Sequence, residues 1–376
     1  MPEVETAASR TLPAMDLPVM PPLLPMLAKS TPELPDAEPG AFWFEPKWDG
    51  FRCIVFRDGD EVILGSRNDK PLTRYFPEML DPIRAMLPDR CVVDGELVVA
   101  TDKGLDFDVL GQRIHPAESR INRLAAETPA SFVAFDLIAL GDDDLRETPF
   151  GERRRLLEGL FTDVVPPLHL TPITPDRDLA ADWFQRFEGA GFDGVMAKPV
   201  ADPYLSNKRS ILKIKHQRTA DMVVAGYRVH KDGNGVGSLL LGLHNDDGQL
   251  QHIGVASSFS AARRVELLDE LAPYADRALD DHPWAAWGNA RAHEESRMPG
   301  APSRWSGGKD QSWVPLRCEL VAEVGYQGLT SGRLRHPAKF LRWRPDKDAD
   351  QCRYDQLDQA VPIELEQLFG DDRFSN

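Results

Sequence analysis

The run Glu45-Pro46-Lys47-Trp48-Asp49-Gly50-Phe51-Arg52 places one lysine where it could act as a nucleophile. A lysine with an ordinary pKa of about 10.4 is protonated and unreactive at neutral pH. Burial or nearby positive charge favours the free amine, and the aromatic residues at 42–44 and 48 could wall such a site. The donor fork of Arg52 suits a ribose or phosphate oxygen. An isolated Lys-x-Asp-Gly would be better explained by a surface lysine in an Asp-Gly turn. Other motifs elsewhere in the chain must therefore decide between a nucleophilic lysine and a surface lysine.

Two further segments carry charged residues inside strand-like runs. Residues 91–99 read as a buried strand interrupted by Asp94-Gly95-Glu96, and acids in an apolar strand are costly unless they are paired or coordinate something. A bulged turn would explain Asp94-Gly95 but not Glu96 between apolar neighbours. Residues 211–215 alternate apolar and basic, which puts Lys213 and Lys215 on one strand face. An edge strand with solvated lysines would give the same pattern.

The full pattern Lys-x-Asp-Gly-x-Arg, with Glu45 two residues upstream, resembles the first motif of the covalent nucleotidyltransferases. These are the ATP-dependent DNA ligases, the RNA ligases and the mRNA capping enzymes. Five companion motifs follow in the family order through residue 347: Ser66-Arg67 with Asp94-Gly95-Glu96, Phe135 before Asp136-Leu137, Asp193-Gly194 with Lys198, Lys213-x-Lys215, and Arg344-x-Asp346-Lys347. Gly-Arg-Leu-Arg-His-Pro at 332–337 and the short chain resemble the minimal bacterial ATP-dependent DNA ligases of the LigC type.

This resemblance implies a role for each motif residue. Lys47 would become covalently attached to AMP, and Glu45 would favour ATP by accepting a hydrogen bond from the adenine amine. Glu96, supported by Asp94, would contact the ribose and, together with Asp193, a magnesium or manganese ion. Asp193 stands where the family usually has a glutamate, so the metal would sit closer or be held through water. The remaining nucleotide contacts would be Arg52, Arg67, Phe135 (stacked on the purine), Lys198, Lys213, Lys215, Arg344 and Lys347.

The resemblance also implies the reaction and its partners. AMP would pass from Lys47 to the 5′-phosphate of nicked or gapped duplex DNA, and the 3′-hydroxyl would then displace it. The context would be DNA repair, beside a primase-polymerase. An RNA ligase and a GTP-dependent capping guanylyltransferase are the related alternatives, and a non-catalytic nucleic-acid-binding module is the alternative from another class. We expect a cytoplasmic monomer without a membrane segment.

The elements that must position these residues form an α+β protein. We predict a disordered N-terminus at 1–20 and an adenylation (nucleotidyltransferase) domain with antiparallel sheets at 21–217. An OB-fold β-barrel domain follows at 218–376, with an insertion at 281–313 and a hinge near 216–220. Predicted helices are 76–87, 105–125, Arg153-Arg154-Arg155 to Phe161, 261–272 and 350–369. The three arginines would form a charged helical face, although the resemblance to the ligases also implies a nucleotide-contacting arginine at this place.

Composition limits the function less than the motifs do. The 376 residues carry a net charge of -16, which is unusual for a nucleic-acid enzyme. Segment 331–347 nevertheless has six basic residues against one acid, and segment 208–218 has five against none. These segments could bind phosphates or be solvated faces. Four scattered cysteines without Cys-x-x-Cys spacing argue against a zinc site and indicate a reducing compartment.

Overall fold

The computed structural model describes residues 15–67, 71–101, 104–186, 192, 194–215, 218–285, 312–330 and 332–357. These residues form two compact units that divide after Lys215. Part of the predicted hinge, residues 216 and 217, lies outside the described residues, as do Asp193 and most of the predicted insertion.

The described residues of the first unit form two main sheets, one small two-stranded sheet and five α-helices. Its strands are β1 (Leu27–Thr31), β2 (Phe42–Pro46), β3 (Phe51–Asp58), β4 (Glu61–Ser66), β5 (Arg90–Val98), β6 (Ala100–Thr101), β7 (Gly104–Leu105), β8 (Ser131–Leu140), β9 (Asp143–Asp144), β10 (Leu168–Leu170), β11 (Val195–Pro199) and β12 (Arg209–Ile214). Its helices are α1 (Leu80–Met86), α2 (Phe107–Gly111), α3 (Glu118–Glu127), α4 (Phe150–Leu160) and α5 (Arg177–Arg186), with 3₁₀ turns at Thr73–Tyr75 and Pro77–Met79.

The two sheets face each other across an apolar layer. One has the strand order β1-β12-β11-β2, and the other runs β10-β8-β5-β3-β4 with β9 on β8. Ile54, Phe56 and Ile138 of the larger sheet pack in one cluster with Ile211 of the smaller sheet. Helices α1, α2 and α4 cover the other face of the larger sheet, and α5 covers that of the smaller one.

The prediction of antiparallel sheets is wrong at two edges. Strand β1 pairs parallel with β12, and β10 pairs parallel with β8, while the remaining pairs of the two main sheets are antiparallel. A parallel pair needs a crossover connection rather than a tight hairpin, and these edge strands join their partners through long stretches of chain. The sheets are therefore mixed.

The predicted disorder of 1–20 is wrong for residues 15–20. Met15, Leu17 and Val19 are buried and join the apolar layer between the sheets. Their alternation with Asp16 and Pro18 is the period of an extended segment with one buried face. Residues 1–14 lie outside the described residues.

Two of the predicted helices are not continuous α-helices in the structure. The helix expected at 105–125 is split into α2 and α3, with Pro116 in the connection, where a proline disfavours helical geometry in the residue before it. The tail helix expected at 350–369 is replaced, up to residue 357, by 3₁₀ turns at Ala349–Gln351 and Tyr354–Gln356. Its remainder lies outside the described residues.

The described residues of the second unit form a closed barrel, a small two-stranded sheet and one α-helix. Its strands are β13 (Arg218–Val229), β14 (Val236–His244), β15 (Leu250–Ser257), β16 (Val314–Tyr326), β17 (Leu329–Thr330), β18 (Arg333–Leu334) and β19 (Ala338–Trp343), and its helix is α6 (Ala261–Ala275). The barrel closes in the order β13-β14-β15-β19-β16, with β16 returning to β13. Trp284, at one end of the predicted insertion, is fully buried and donates from Nε1 to Leu250 O at 2.8 Å.

His252 on β15 is a titratable side chain packed within the barrel unit. Its ring packs edge-to-face on Trp284 at 5.5 Å. Burial and the charges of Arg333 and Arg228 lower the pKa of His252 to about 3. Below about pH 6.5 the unfolded chain binds a proton at His252 that the folded chain does not bind. The free energy of unfolding therefore has its full value above pH 6.5 and decreases as pH falls toward 3.

We therefore expect the wild-type protein to lose about 1 kcal/mol of unfolding free energy per pH unit below about pH 6.5. His252→Gln removes the titrating group and should flatten this dependence. Urea unfolding of both proteins at about pH 7.5 and about pH 5.5 measures the difference. Equal losses in the two proteins would show that His252 is not responsible.

Candidate active site

The loop after β2 fixes the backbone of Lys47. Its amide donates to Gly194 O at 2.8 Å. The next side chain, Trp48, is buried, packs on Phe192 at 4.8 Å and donates from Nε1 to Thr171 Oγ1 at 2.8 Å. A Cβ at Gly50 would lie 2.1 Å from Leu97 O, so only glycine fits this approach to β5. The lysine is thus held between two anchored positions.

The register of the smaller sheet aligns the basic residues with Glu45. Glu45 is paired with Met196, and Met196 with Lys213, in three adjacent strands. Register partners share a face, as do residues two apart on a strand. Lys198 lies two residues beyond Met196, and Lys215 directly follows β12 at the same spacing from Lys213. Lys213 therefore lies on the face of Glu45, while a common face for Lys213 and Lys215 remains a prediction because Lys215 lies beyond the end of β12.

The larger sheet supplies an arginine and an aromatic ring. The guanidinium of Arg52 lies 4.5 Å from the ring centroid of Phe135. It donates from Nε and Nη2 to the two carboxylate oxygens of Asp94, each at 2.5 Å. Burial opposes the charge of Arg52, but the Asp94 carboxylate outweighs it and raises the pKa of Arg52. Asp94 therefore supports Arg52, the register partner of Glu96.

Glu96 is a half-buried carboxylate near Lys47. Burial raises the pKa of Glu96 to about 7, against the opposing charges of Arg52 and Lys47. A carboxylate in this condition is stabilised by any further cation. Sequence reasoning found Glu96 because it interrupts an apolar strand.

Lys198 lies in a buried ion cluster. Its Nζ is 2.7 Å from Glu45 Oε2, donates to Phe135 O at 3.0 Å and sits 4.6 Å from the centroid of the Phe135 ring. Its side chain is 4% exposed. The ammonium that was predicted to face nucleotide phosphates is therefore directed at Glu45 and Phe135.

The prediction of a charged helical face at 153–155 is wrong for two of the three arginines. Arg153 is fully buried and donates to both oxygens of Asp136, at 2.8 and 3.0 Å. Arg154 is buried beside Glu45 and donates to Thr171 O at 2.8 Å. Only Arg155 is exposed. Carboxylates on distant strands explain this burial, and the local sequence holds no sign of them.

Two atoms of the ion cluster face each other without hydrogen-bond partners. Glu45 Oε1 and Arg154 Nη1 are both buried, lie 3.6 Å apart and make no hydrogen bond within the described residues. Burial raises the pKa of Glu45, although Lys198 and Arg154 oppose the rise. An acceptor and a donor of the buried cluster are thus paired by charge at 3.6 Å but make no hydrogen bond.

Tyr204 is a site residue that sequence reasoning missed. Its hydroxyl donates to Asp94 Oδ2 at 2.6 Å and accepts from the Met26 amide at 3.3 Å. It therefore steadies the Asp94–Arg52 pair from a loop that carries no motif.

The other predicted residues are placed as follows. Arg67 is exposed directly after β4, Asp193 lies outside the described residues, and Arg344 and Lys347 belong to the second unit. There, Asp346 accepts from Arg344, which lowers the pKa of Asp346 to about 2. Within the described ranges, no group of three or more His, Cys, Asp or Glu side chains could hold a metal ion. None of the helices described has the length and apolar composition needed to cross a membrane.

Comparison with known proteins identifies the family of both parts of the chain. The family model for the ATP dependent DNA ligase domain matches residues 25–215, and that for the ATP dependent DNA ligase C terminal region matches residues 232–347. DNA ligase C of Mycobacterium tuberculosis is 55% identical over 94% of this chain and 99% of its own. DNA ligase C2 of Mycolicibacterium smegmatis is 54% identical over 92% of this chain and 96% of its own.

A solved structure shares the fold. A Lig E DNA ligase, 19% identical, aligns with a TM-score of 0.53 over 85% of this chain and 99% of its own. Family models that match both parts of the chain, together with relatives of this identity and coverage, show that this protein belongs to the ATP-dependent DNA ligases.

Proposed function

We propose that this chain seals nicks in duplex DNA through a covalent AMP adduct on Lys47. One observation carries the proposal. Lys47 follows β2 of one sheet, and its charge acts on Glu96 of the facing sheet, beside the Arg52–Phe135 pair. A nucleotide with its α-phosphate at Lys47 could thus be held by a carboxylate, a guanidinium and an aromatic ring.

The first step is attack by the Lys47 amine on the α-phosphorus of ATP. An N–P bond forms, the bond between the α-phosphorus and the bridging oxygen breaks, and pyrophosphate leaves while the amine proton passes to water. Lys213 and Lys215 would stabilise the negative charge that develops on the phosphoryl oxygens. Their charges would also favour the neutral amine of Lys47.

The second and third steps transfer and release AMP. An oxygen of the DNA 5′-phosphate attacks the phosphorus of the adduct, which breaks the N–P bond and frees Lys47. The 3′-hydroxyl then attacks the DNA phosphate, forms the phosphodiester and expels AMP. No oxidant or further co-reactant is needed.

The acceptor and the donor that lack hydrogen bonds in the ion cluster are complementary to adenine. Adenine presents an amine donor (N6) beside a ring acceptor (N1), which would satisfy Glu45 Oε1 and Arg154 Nη1 together. Guanine in the same orientation presents an acceptor (O6) beside a donor (N1–H), which would oppose both groups. Mismatched buried polar groups discriminate strongly between ligands. The cluster therefore supports ATP rather than GTP, and with it ligation rather than capping.

Glu45→Gln tests this assignment. The amide can turn a donor toward O6 of guanine, so we expect the ratio of ATP to GTP labelling to fall by about tenfold or more. The measurement is covalent labelling of the protein with α-labelled ATP or GTP at matched concentrations. The matched control is Glu158→Gln, because Glu158 accepts from the same Arg154 at 2.9 Å but on the Nε side. An equal effect of both substitutions on the ratio of ATP to GTP labelling would contradict the proposal that Glu45 recognises adenine.

Glu96 is the described residue that fits a divalent cation. Magnesium commonly uses one or two carboxylates together with phosphate oxygens and water, which is consistent with a single carboxylate of raised pKa near the proposed α-phosphate position. When bound, the metal would offset phosphate charge. Asp193 remains the predicted second carboxylate.

For the second unit we propose the OB-fold identity and DNA binding. The closed five-stranded barrel and the basic residues of 331–347 support this. Arg344 and Lys347 would reach the pyrophosphate during adenylation and leave before DNA is sealed, with a hinge near 216–220. A monomer acting beside a primase-polymerase remains our prediction.

Nick sealing is tested with defined substrates. We expect magnesium, ATP and a nicked DNA duplex to yield a sealed strand, and a nicked RNA duplex to yield little. Preferential RNA joining would favour the RNA-ligase alternative. Label from GTP would favour capping, and a folded protein that binds DNA without taking label would leave the binding-module alternative.

A further inference from the structure

Asp221, at the start of β13, holds two residues of the closing basic segment, residues 342–347. Arg344 Nη1 donates to Asp221 Oδ1 at 3.0 Å and to Oδ2 at 2.9 Å. Lys347 Nζ donates to the same Oδ2 at 2.9 Å. Arg344 and Lys347 therefore share one carboxylate oxygen.

Asp221 is itself firmly held. Gln356 accepts from the Asp221 amide through Oε1 and donates to the Asp221 carbonyl through Nε2, each at 2.9 Å. The backbone of Asp221 also lies where β13 pairs with β16, opposite Glu323. These bonds fix the backbone of Asp221 without using its carboxylate, which is 13% exposed.

The other contacts of the basic segment orient it further. Asp346 accepts from Arg344 Nε at 2.9 Å and from Nη2 at 2.8 Å. Arg342 pairs with Glu323 at 2.7 Å, and the same Glu323 carboxylate lies 4.0 Å from Arg344 Nη1. Arg344 is thus held from two sides, while Lys347 retains ammonium protons beyond the one given to Asp221.

Arg344 and Lys347 would repel each other if no carboxylate lay between them, because like charges at this spacing are unfavourable in a partly buried site. Long side chains also lose rotamer freedom when they are held in one geometry. A carboxylate that imposes this geometry beforehand removes part of that cost from ligand binding.

We propose that Asp221 is a positioning residue that preassembles Arg344 and Lys347 as a pair for the pyrophosphate part of ATP. The proposal rests on the function proposed above. Asp221 would act through the two cations and would not touch the nucleotide. Its effect should therefore appear in the first step, which needs the triphosphate, and not in sealing of DNA that already carries AMP.

Asp221→Asn is the test, since it keeps the shape and the backbone bonds to Gln356 while removing the charge. We expect kcat/KM for ATP in self-adenylation to fall about tenfold, mainly through KM. Sealing of nicked DNA that is already adenylated at its 5′-phosphate should change less than twofold. Asp221→Glu restores the charge and should recover part of the adenylation rate.

The matched control is Glu319→Gln, which removes one negative charge from β16 at a carboxylate that pairs with Arg317. Thermal unfolding checks that both variants are folded. Unchanged adenylation by Asp221→Asn would overturn the proposal. Faster adenylation would also overturn it, because it would mean that the Asp221 carboxylate competes with phosphate for the two cations. Equal loss of both steps in a folded protein would also overturn it. Absence of label on the wild-type protein would instead sink the lysyl-AMP function.

Discussion

Lys47→Arg should reduce self-adenylation by more than about a thousandfold, because arginine keeps the positive charge but has no neutral amine at neutral pH. The charge that acts on Glu96 is retained, so the surrounding site should remain assembled. Sealing of nicked DNA that already carries AMP should persist, since that step needs no nucleophile from the protein. The measurement is single-turnover labelling with α-labelled ATP, followed by sealing of pre-adenylated nicked DNA.

The control for this prediction is Lys215→Arg, which leaves the proposed nucleophile intact and keeps the charge near the phosphate. We expect it to label measurably, although more slowly than the wild-type protein. If Lys47→Arg labelled as fast as Lys215→Arg, the nucleophile would lie elsewhere. If Lys47→Arg also lost sealing of pre-adenylated DNA, the lysine would serve the final step as well.

Arg153→Leu should lower the unfolding free energy by about 3–5 kcal/mol, because it leaves the Asp136 carboxylate buried without its partner. Asp136 is 1% exposed and Arg153 is fully buried. Asp136 also directly follows Phe135, so the loosened strand should weaken nucleotide binding. Urea unfolding of the purified variant measures the first effect, and the KM for ATP in self-adenylation measures the second.

Arg155 offers a matched control for that substitution. It lies two residues along the same helix but is exposed, so Arg155→Leu should change stability by no more than about 0.5 kcal/mol. The double variant Arg153→Leu/Asp136→Asn removes both charges and should regain part of the loss. Equal destabilisation by the two arginine substitutions would contradict the buried pair.

The site residues that could be located from the sequence are charged residues within otherwise apolar strands. Asp94 and Glu96 are acids within an apolar strand, and they lie on β5 facing Arg52 of β3. Lys213 alternates with apolar residues and lies on β12 beside Met196. Each of these patterns depends only on strand period, which is a property of the local sequence.

What the sequence could not disclose depends on contacts between distant segments. Arg153 and Arg154 stand in a charged run at the start of a helix, and only Asp136, Glu45 and Thr171 explain their burial. Tyr204 lies in a loop without a motif and meets Asp94 through a hydrogen bond across 110 residues. The connection at Pro116 is different, since its helix-breaking character was visible locally.

The contacts of Lys198 also depend on distant segments of the chain, although Lys198 belongs to a sequence motif. Its place in the fourth motif implied phosphate contact, but β11 carries it two residues past the register partner of Glu45. From there its ammonium meets Glu45 and the Phe135 ring. We infer that Lys198 holds the Glu45 carboxylate in place, a role that a motif match alone does not distinguish from phosphate binding.

The most direct test of the lysyl-AMP account is to locate the adduct. The purified protein would be incubated with magnesium and ATP, digested under conditions that preserve the N–P bond, and analysed by tandem mass spectrometry. We predict the mass of one AMP on the peptide that contains Lys47, and its loss when nicked DNA is added with formation of a sealed strand. AMP on another residue, or no adduct on a folded protein that still seals nicks, would contradict the account.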